Sequence, residues 1–126
     1  MDKVGITIMI IPKFYEVLFG IYIYILEFKN GKFYVGISRD PEYRFRRHRE
    51  GKTSKFVKEN LPIKYTYIKL LDSTDWSTAL IEETRQTAEL IKKHGIENVC
   101  GGAIKGDLKM RITVYNNYLK KQYNDY

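Results

Sequence analysis

The carboxylate of Glu83 is the first candidate for chemistry, because helical geometry aims it at the body of the protein. Residues 76–94 have the apolar spacing of a long helix. Its apolar stripe consists of Trp76, Ala79, Leu80, Leu90 and Ile91. At about 100° per residue, Glu83 and Thr87 fall within this stripe, whereas Glu82 falls off it. A buried carboxylate is costly unless it is paired or metal-bound. Glu83 is therefore a metal ligand, one half of a salt bridge, or a residue at an exposed end of the stripe.

A second group of candidates lies on a shorter helix that the sequence predicts after residue 40. Asp40 can cap this helix, and Pro41 suits its first position. Arg44 and His48 are four residues apart and share a face. A guanidinium fork matches phosphate oxygens well, so Arg44 is a candidate phosphate ligand. Three further arginines, at positions 46, 47 and 49, widen the basic surface, although simple solvation explains most of them equally well.

Tyrosines in the first predicted strands form a third group, with weaker support. Tyr22, Tyr24 and Tyr34 all fall in strand-like segments. The two-residue period of a strand puts Tyr22 and Tyr24 on one face. Tyrosines in strands usually serve packing alone, so these residues acquire a chemical role only if further motifs support one.

The elements that must position these groups are those of an α+β fold. Residues 20–28 form a β-branched and aromatic run typical of a central strand, and residues 33–37 form its return strand. Asn30-Gly31 between them is a strong hairpin signal, because both residues tolerate positive φ. Residues 63–71 alternate well enough to form a third strand. The expected architecture is a small antiparallel sheet flanked by helices.

Four helices are predicted to flank this sheet. They span residues 41–50, 53–60, 76–94 and 108–123. Gly51 and Gly95 close the first and third of these helices, as glycine often does at a helix C-terminus. Gly101-Gly102 predicts a further break before the last helix. The apolar stripe of that last helix consists of Leu108, Ile112, Tyr115 and Leu119.

Positive charge is concentrated in one central segment of the chain. The 126 residues carry a formal net charge of +7. Residues 39–69 alone carry +6, from ten Lys/Arg against four Asp/Glu, whereas residues 72–97 carry −3. A phosphate-rich partner is the natural match for such a segment. The alternative is a solvated face on a lysine-rich protein, and charge alone does not distinguish the two.

The remaining composition predicts one small intracellular domain. The chain is 44% hydrophobic and has the length of a single core. Its one cysteine, Cys100, excludes an internal disulfide and a cysteine-based zinc cluster, and fits a reducing compartment. The apolar run at residues 4–11 is too short to span a bilayer and lacks the features of a signal peptide. We interpret it as an extra strand or a packed arm, and expect no membrane association.

Two short motifs at a characteristic spacing give this chemistry a family context. Gly20-Ile21-Tyr22 is followed, after eleven residues, by Tyr34-Val35-Gly36, which resembles the signature of the GIY-YIG nuclease superfamily. Further family features follow in order, namely Asp40-Pro41, Arg44, His48, Gly51, Ala79, Glu83 and Asn98. The resemblance covers residues 20–102. It looks closest to the resolvase-like, structure-specific branch, which implies a role in DNA repair or recombination.

The resemblance implies a three-stranded antiparallel sheet flanked by helices, and an endonuclease that hydrolyses a phosphodiester backbone with water. Glu83 would hold one divalent ion, Mg²⁺ or Mn²⁺, and Arg44 would bind the scissile phosphate. Tyr22 would activate the attacking water and Tyr34 would position it. His48 would act as a relay, since a phenol with an unperturbed pKa of about 10 is rarely ionised near neutral pH. One carboxylate argues against a two-metal mechanism.

The same resemblance implies DNA as the partner, with RNA as the alternative polymer. The expected nucleic-acid contacts are Arg46, Arg47, Lys52, Lys55 and Asn98. Residues 20–102 would form the catalytic domain, with an N-terminal extension at 1–19 and a C-terminal helical extension at 103–126. Neither extension is large enough for a targeting domain, so a partner protein or the shape of the substrate would direct cleavage. The alternative function is a module of the same fold that binds nucleic acid without cutting it.

Overall fold

The computed structural model describes residues 20–124, which form a sheet with helices on both faces. The extra strand or packed arm expected at residues 1–19 lies outside the described residues. In chain order, the elements are β1 (Tyr22–Phe28), β2 (Phe33–Ser38), α1 (Pro41–Arg49), α2 (Lys55–Asn60), β3 (Ile63–Leu70), α3 (Trp76–His94), a 3₁₀ turn (Ile96–Asn98), β4 (Val99–Gly101) and α4 (Leu108–Asn124). The α+β class is confirmed.

The strands are arranged in the order β3-β1-β2-β4. Strand β1 pairs antiparallel with both β2 and β3, as expected. The sheet has one strand more than predicted, because β4 pairs in parallel with the first half of β2. A three-residue strand that ends in Gly101 carries too little periodicity to be recognised in the sequence. The double glycine at this point predicted only a break.

A hairpin with a three-residue loop joins β1 to β2 and sets their register. The Phe28 N–H donates to the Lys32 carbonyl oxygen at 2.9 Å, and Gly31 within the loop has φ +88°. Such a loop ends in a left-handed residue, which is why glycine stands there. The loop brings Tyr24 opposite Gly36 in the sheet. The predicted hairpin at Asn30-Gly31 is confirmed.

Side-chain oxygens cap the first turns of three helices, and the cap that the sequence predicted at Asp40 is confirmed. Asp40 Oδ1 accepts a hydrogen bond from the Tyr43 N–H at 3.2 Å at the start of α1. Asp75 caps α3 in the same way, by accepting from the Thr78 N–H at 3.2 Å. Ser54 caps α2, which therefore begins slightly later than the pattern suggested. These bonds satisfy backbone donors that have no partner within the helix.

The two faces of the sheet bury different clusters, following the two-residue period of the strands. One face packs against α3 through Ile21, Ile23, Val35, Ile37 and Ala79. The other face packs against α1 and α2 through Tyr24, Leu26, Phe28 and Val57. A third cluster, Ala88, Ile91, Val99 and Ile104, joins α3 to β4 and α4. The candidate tyrosines thus lie under α1, whereas Glu83 approaches from the helix on the opposite face.

The two predicted helical stripes are only partly correct. On α3, Ala79 and Ile91 are buried, but Trp76 and Leu80 are exposed. On α4, Leu108 and Ile112 are exposed, and Arg111 is buried instead. Hydropathy assigns an arginine to the surface. Arg111 faces inward because backbone carbonyl oxygens accept its N–H groups, which lowers the cost of burying a charge.

Candidate active site

Glu83 lies in the middle of α3 and is only 8% exposed, as the helical stripe predicted. Its neighbour Glu82 lies off the stripe and binds Arg85, with Nη2 and Oε2 2.6 Å apart. That hydrogen bond lowers the pKa of Glu82 to about 2. Within residues 20–124, no cation lies at ion-pairing distance from Glu83. The structure therefore leaves Glu83 as a buried carboxylate without the salt bridge that was one of the alternatives.

Burial raises the pKa of the Glu83 carboxyl to about 7, because desolvation disfavours the charged form. Hydrogen bonding by the backbone N–H groups of Gly102 and Ile37, and the positive charges of Lys105 and Arg44, act in the opposite direction. Strand β4 ends where Gly101 pairs with β2, so the second half of β2 has no described strand on that side. Glu83 lies close enough to Tyr24, Tyr34 and Arg44 for their charges to act on one another.

Tyr24 and His48 form a buried pair on the α1 side of the sheet. The Tyr24 hydroxyl oxygen is 2.7 Å from His48 Nε2, and His48 Nδ1 is 2.7 Å from Thr53 Oγ1. Tyr24 is 1% exposed and His48 is fully buried. When His48 Nδ1 donates to Thr53, Nε2 is left as an acceptor for the Tyr24 proton. In this tautomer His48 can act as a base toward Tyr24.

Neither Tyr24 nor His48 is readily ionised in this pair. Burial raises the pKa of the Tyr24 phenol, although hydrogen bonding and the charge of Arg44 lower it in part. Burial, with a contribution from the charge of Arg44, lowers the pKa of His48 to about 4. Both groups are therefore neutral near pH 7. A proton moves from Tyr24 to His48 only if charge develops nearby to favour that transfer.

The structure places Tyr24, not Tyr22, in this network. Tyr22 is the first residue of β1, where it pairs with Ser38, the last residue of β2. It is half-buried and has no hydrogen bond to His48 among the described contacts. Tyr22 shares a face with Tyr24, as expected, but lies two residues nearer the start of the strand. The Gly-Ile-Tyr motif predicted Tyr22, whereas the tyrosine that contacts His48 is Tyr24.

Gly36 explains why Tyr24 reaches His48. A methyl group on Gly36 would collide with the Tyr24 ring and hydroxyl, so the phenol lies directly over the Gly36 backbone. Phe45 of α1 packs edge-on against the same ring, with centroids 5.1 Å apart. The cross-strand glycine and the helix residue therefore fix the direction of the Tyr24 hydroxyl.

Tyr34 and Arg44 complete the group around His48. The Tyr34 ring lies edge-on to His48, with centroids 5.4 Å apart, and burial raises the pKa of its phenol. Tyr34 is therefore a neutral hydrogen-bond donor near pH 7. Arg44 lies one helical turn before His48, and its charge acts on Tyr24, Tyr34, His48 and Glu83 alike. The structure thus brings together four of the five predicted catalytic residues, with Tyr24 in place of Tyr22.

The donor set at Glu83 fits a hard divalent cation with few protein ligands. No group of three or more His, Cys, Asp or Glu side chains lies together within residues 20–124. Glu83 supplies one carboxylate, and no ion pair within residues 20–124 neutralises its charge. Mg²⁺ commonly keeps several waters and binds through one carboxylate together with substrate phosphates. A cation here would offset the desolvation that opposes ionisation of Glu83.

The predicted nucleic-acid contacts divide between two places. Arg46 and Arg47 lie on α1 over the Tyr43 ring, at 5.3 and 5.9 Å from its centroid. Lys52 and Lys55 follow on the same side and are largely exposed, with surface ion pairs to Glu50 and Glu59. Such pairs are weak and leave the lysines free to exchange partners.

Asn98 lies elsewhere. Its side-chain N–H donates to the His94 carbonyl oxygen at 2.8 Å and so satisfies the end of α3. The structure gives Asn98 a capping contact at the helix end and does not bring it to the catalytic group.

Three residues of the site were missed in the sequence. Tyr24 could have been found from the hairpin, because a tyrosine opposite a glycine has room to lie across the neighbouring strand. Thr53 carried no signal, since only its contact with His48 shows its importance. Lys105 lies near Glu83 and follows it by 22 positions in the chain, in a segment without periodicity.

Comparison with the sequences of known families identifies the family of this chain. The family model described as the GIY-YIG catalytic domain matches residues 20–95, which is more than half of the chain. The chain belongs to the GIY-YIG family. Members of this family are typically endonucleases that use a divalent metal, and the domain implies binding to nucleic acid. The expected family is therefore confirmed, together with the fold.

Proteins similar to this GIY-YIG domain include UPF0213 proteins of two Streptococcus species. A UPF0213 protein of Streptococcus agalactiae is 32% identical over 78 residues, which cover 58% of this chain and 89% of that protein. A UPF0213 protein of Streptococcus pneumoniae is 37% identical over 46 residues, which cover 36% of this chain and 46% of that protein. No solved structure shows significant similarity to the chain. None of the described helices is both long and apolar enough to cross a membrane.

Proposed function

We propose that this protein is a metal-dependent endonuclease that hydrolyses phosphodiester bonds of DNA by attack of water. One observation carries the proposal: a buried carboxylate without an ion pair, Glu83, faces the charge of Arg44 beside the hydrogen-bonded Tyr24–His48 pair. These groups come from three separate elements, β1, α1 and α3, and lie close enough for their charges to act on one another. A fold that needed only stability would bury apolar groups here at lower cost.

Glu83 is the protein ligand proposed for one divalent ion, Mg²⁺ or Mn²⁺. When bound, the ion would polarise the scissile phosphate and stabilise its developing negative charge. The backbone N–H groups of Gly102 and Ile37 lie on the side of the carboxylate where they favour its charged form and lower its pKa in part. Because the carboxyl binds a proton with a pKa of about 7, ion and proton compete for it near neutral pH.

Tyr24 and His48 are proposed to remove the proton of the attacking water. The water proton passes to the Tyr24 hydroxyl oxygen while the Tyr24 proton passes to His48 Nε2, 2.7 Å away. The water oxygen forms a bond to phosphorus, the bond from phosphorus to the leaving strand breaks, and the leaving oxygen takes a proton from solvent. This relay avoids a free phenolate, which burial disfavours. The imidazolium that forms is balanced by the negative charge that develops on the phosphate.

Arg44 and Tyr34 are proposed to bind the reacting phosphate. Arg44 supplies a positive charge within the site, and its guanidinium can form two parallel hydrogen bonds to phosphate oxygens. Tyr34 stays protonated because burial raises its pKa, so it donates a hydrogen bond to the water or the phosphate. Both interactions strengthen as negative charge develops, and this difference is what accelerates a reaction.

The basic surface of α1 and the following turn is proposed to hold the DNA backbone. Arg46, Arg47, Lys52 and Lys55 lie on this surface and are the predicted phosphate contacts. Asn98 remains a weaker prediction, because its side chain already binds the end of α3. Targeting is proposed to come from substrate shape or a protein partner.

A cleavage assay tests the proposal directly. Supercoiled plasmid and branched DNA are incubated with the wild-type protein and Mg²⁺ or Mn²⁺, beside Glu83→Gln and Arg44→Ala. Cleavage by the wild type and its loss in both variants is expected, whereas Glu82→Gln, a change at the half-buried neighbouring carboxylate that already binds Arg85, retains activity. Cleavage that survives Glu83→Gln contradicts the metal assignment. Binding of DNA without cleavage by any of the proteins supports an inactive binding module.

A further inference from the structure

A partly enclosed cavity of about 400 Å³ lies beside the catalytic group. It is formed between α2, the connection that follows β4, and the first turn of α4. Tyr34 belongs to both the cavity wall and the catalytic group, and Lys105 lies near Glu83 and also lines the cavity. A volume of several hundred Å³ is typical of pockets for small organic ligands. The cavity is therefore large enough for a ligand and adjoins the site of cleavage.

Arg111 makes one wall of this cavity and is a buried cation without an anionic partner. It is 6% exposed, and no carboxylate in the described part of the chain lies at ion-pairing distance from it. Its Nη1 donates to the Gly106 carbonyl oxygen at 2.9 Å, and its Nη2 donates to the Ile96 carbonyl oxygen at 3.3 Å. Its Nε has no hydrogen-bond partner. Carbonyl oxygens hold the guanidinium in place but do not neutralise its charge.

The remaining charges leave the cavity positive. Lys55 and Lys105 line it together with Arg111. The two carboxylates of the wall have partners of their own: Glu59 lies 3.7 Å from Lys55, and Asp107 accepts a hydrogen bond from the Met110 N–H at 2.8 Å. An anionic group entering the cavity would therefore meet lysine and arginine charge that the wall does not fully compensate.

The rest of the wall is suited to a flat, apolar ring. The Phe56 ring lies under the Arg111 guanidinium, with the guanidinium carbon 5.2 Å from the ring centroid. Tyr34 contributes a second aromatic ring, and Leu108 lies at the first turn of α4. Proteins that hold unpaired nucleotides commonly combine aromatic rings for the base with arginine or lysine for the phosphate. A paired base within a duplex could not enter a partly enclosed cavity of this kind.

We propose that this cavity binds one unpaired nucleotide of the strand that is cut, next to the scissile phosphate. Its base lies against Phe56, Tyr34 and Leu108, and its phosphate lies toward Lys105 and Arg111. The inference rests on the proposed nuclease function and names its substrate class: DNA in which a nucleotide is unpaired, or becomes unpaired, at the cleavage point. Lys105 connects the two sites, because it lies near Glu83 and lines the cavity.

Binding without metal tests this proposal separately from cleavage. Fluorescence anisotropy in EDTA compares a fully paired hairpin DNA with the same hairpin carrying one unpaired 2-aminopurine nucleotide. The wild type is expected to bind the unpaired form about tenfold more tightly, which is the size of effect that stacking of one base gives. The 2-aminopurine fluorescence is expected to change on binding. Equal affinity for the two DNAs overturns the proposal.

Two substitutions at the exposed face of α4 give a matched pair. Leu108→Trp places a large ring at the cavity, whereas Ile112→Trp places the same ring one turn later, outside the cavity; the two parent residues are 43% and 40% exposed. Leu108→Trp is expected to remove the tenfold preference and Ile112→Trp to keep it. Arg111→Lys and Phe56→Leu are expected to reduce the preference as well. A preference that survives Leu108→Trp and Phe56→Leu overturns the proposal.

The outcomes separate this inference from the nuclease proposal. If the wild type cleaves DNA but shows no preference for the unpaired nucleotide, the cavity proposal fails and the nuclease proposal stands. If the preference is present but no DNA is cleaved with Mg²⁺ or Mn²⁺, the nuclease proposal fails, and the cavity stands only as a binding site for an unpaired nucleotide.

Discussion

The Tyr24 hydroxyl oxygen and the Nε2 atom of His48 lie 2.7 Å apart, although the two residues are 24 positions apart in the chain. The contact depends on the register of β1 and β2, which brings Tyr24 opposite Gly36, and on the helix that follows β2. The contact connects the Tyr24 phenol and the His48 imidazole. Burial raises the pKa of the phenol and lowers the pKa of the imidazole. A pair of this kind can pass a proton without either group being charged at rest.

Tyr24→Phe is expected to slow cleavage by about 10²- to 10⁴-fold, the range for loss of a general acid–base group. Tyr22→Phe is the matched control, since it removes a hydroxyl on the same strand face that does not contact His48. It is expected to change the rate less than about threefold, well within the scatter of small surface effects. Single-turnover cleavage with Mg²⁺ measures both. A larger loss for Tyr22→Phe would restore Tyr22 as the base.

Thr53→Val tests the anchoring of His48. The substitution keeps the shape of the side chain and removes the oxygen 2.7 Å from His48 Nδ1. Loss of a partner for a buried polar group is expected to lower the free energy of unfolding by about 1–3 kcal/mol. The cleavage rate should fall less than with Tyr24→Phe, because the histidine ring remains. Urea unfolding and single-turnover rates measure the two effects, with exposed Thr66→Val as the control. A variant as stable and active as the control contradicts this role of Thr53.

Glu83→Gln is expected to stabilise the metal-free protein at pH 8 and to leave its stability at pH 4 unchanged. The pKa of this carboxyl is raised from 4.5 to about 7 on folding, so ionisation is harder in the folded than in the unfolded state. The wild type therefore loses stability as pH rises from about 4.5 to 7, and Glu83→Gln does not. The linkage relation gives a difference of at most ~3 kcal/mol.

Urea unfolding in EDTA at pH 4, 6 and 8 measures this difference. Comparison with the variant at each pH is needed because His48, whose pKa is lowered to about 4, makes both proteins less stable as pH falls below about 6.5. A wild type that is as stable as Glu83→Gln at pH 8 contradicts the buried, unpaired carboxylate.

The basic surface is expected to give steeply salt-dependent DNA binding. Each lysine or arginine that neutralises a phosphate contributes about 0.9 to the slope of log affinity against log salt concentration. Changing Arg46, Arg47, Lys52 or Lys55 singly to Gln is therefore expected to reduce the slope by about one each, and Lys92→Gln, a change on the exposed end of α3, to leave it unchanged. Anisotropy titrations between about 50 and 200 mM salt cover the useful range. Equal slopes for all five variants and the wild type indicate a merely solvated surface.

The sequence alone determined the features that depend on local order along the chain. The helical period aimed Glu83 inward and Glu82 outward, and both are found so. Asp40 marked the start of α1, and Asn30-Gly31 marked the hairpin. Ordered motifs identified the family. These properties rest on neighbours within a few positions, so spacing is enough to predict them.

Only the tertiary structure decided which tyrosine meets His48. Tyr22 and Tyr24 share a strand face, and a shift of strand register or of helix position by one turn would exchange them. The three-residue loop and the room above Gly36 select Tyr24. Residue types and their spacing in a motif do not specify which of the two tyrosines contacts His48.

The tertiary structure also decided the place of Arg111 and Lys105. Arg111 is inside because the carbonyl oxygens of Gly106, just before α4, and of Ile96, in the 3₁₀ turn, accept its N–H groups, which no hydropathy pattern describes. Lys105 lies near enough to Glu83 for its charge to act on the carboxylate, because β4, too short to be recognised, brings the following chain back beside β2. Contacts between distant segments set the surroundings of each charge. The sequence therefore determined which groups could perform the chemistry, and the packing of strands and helices decided which of them meet.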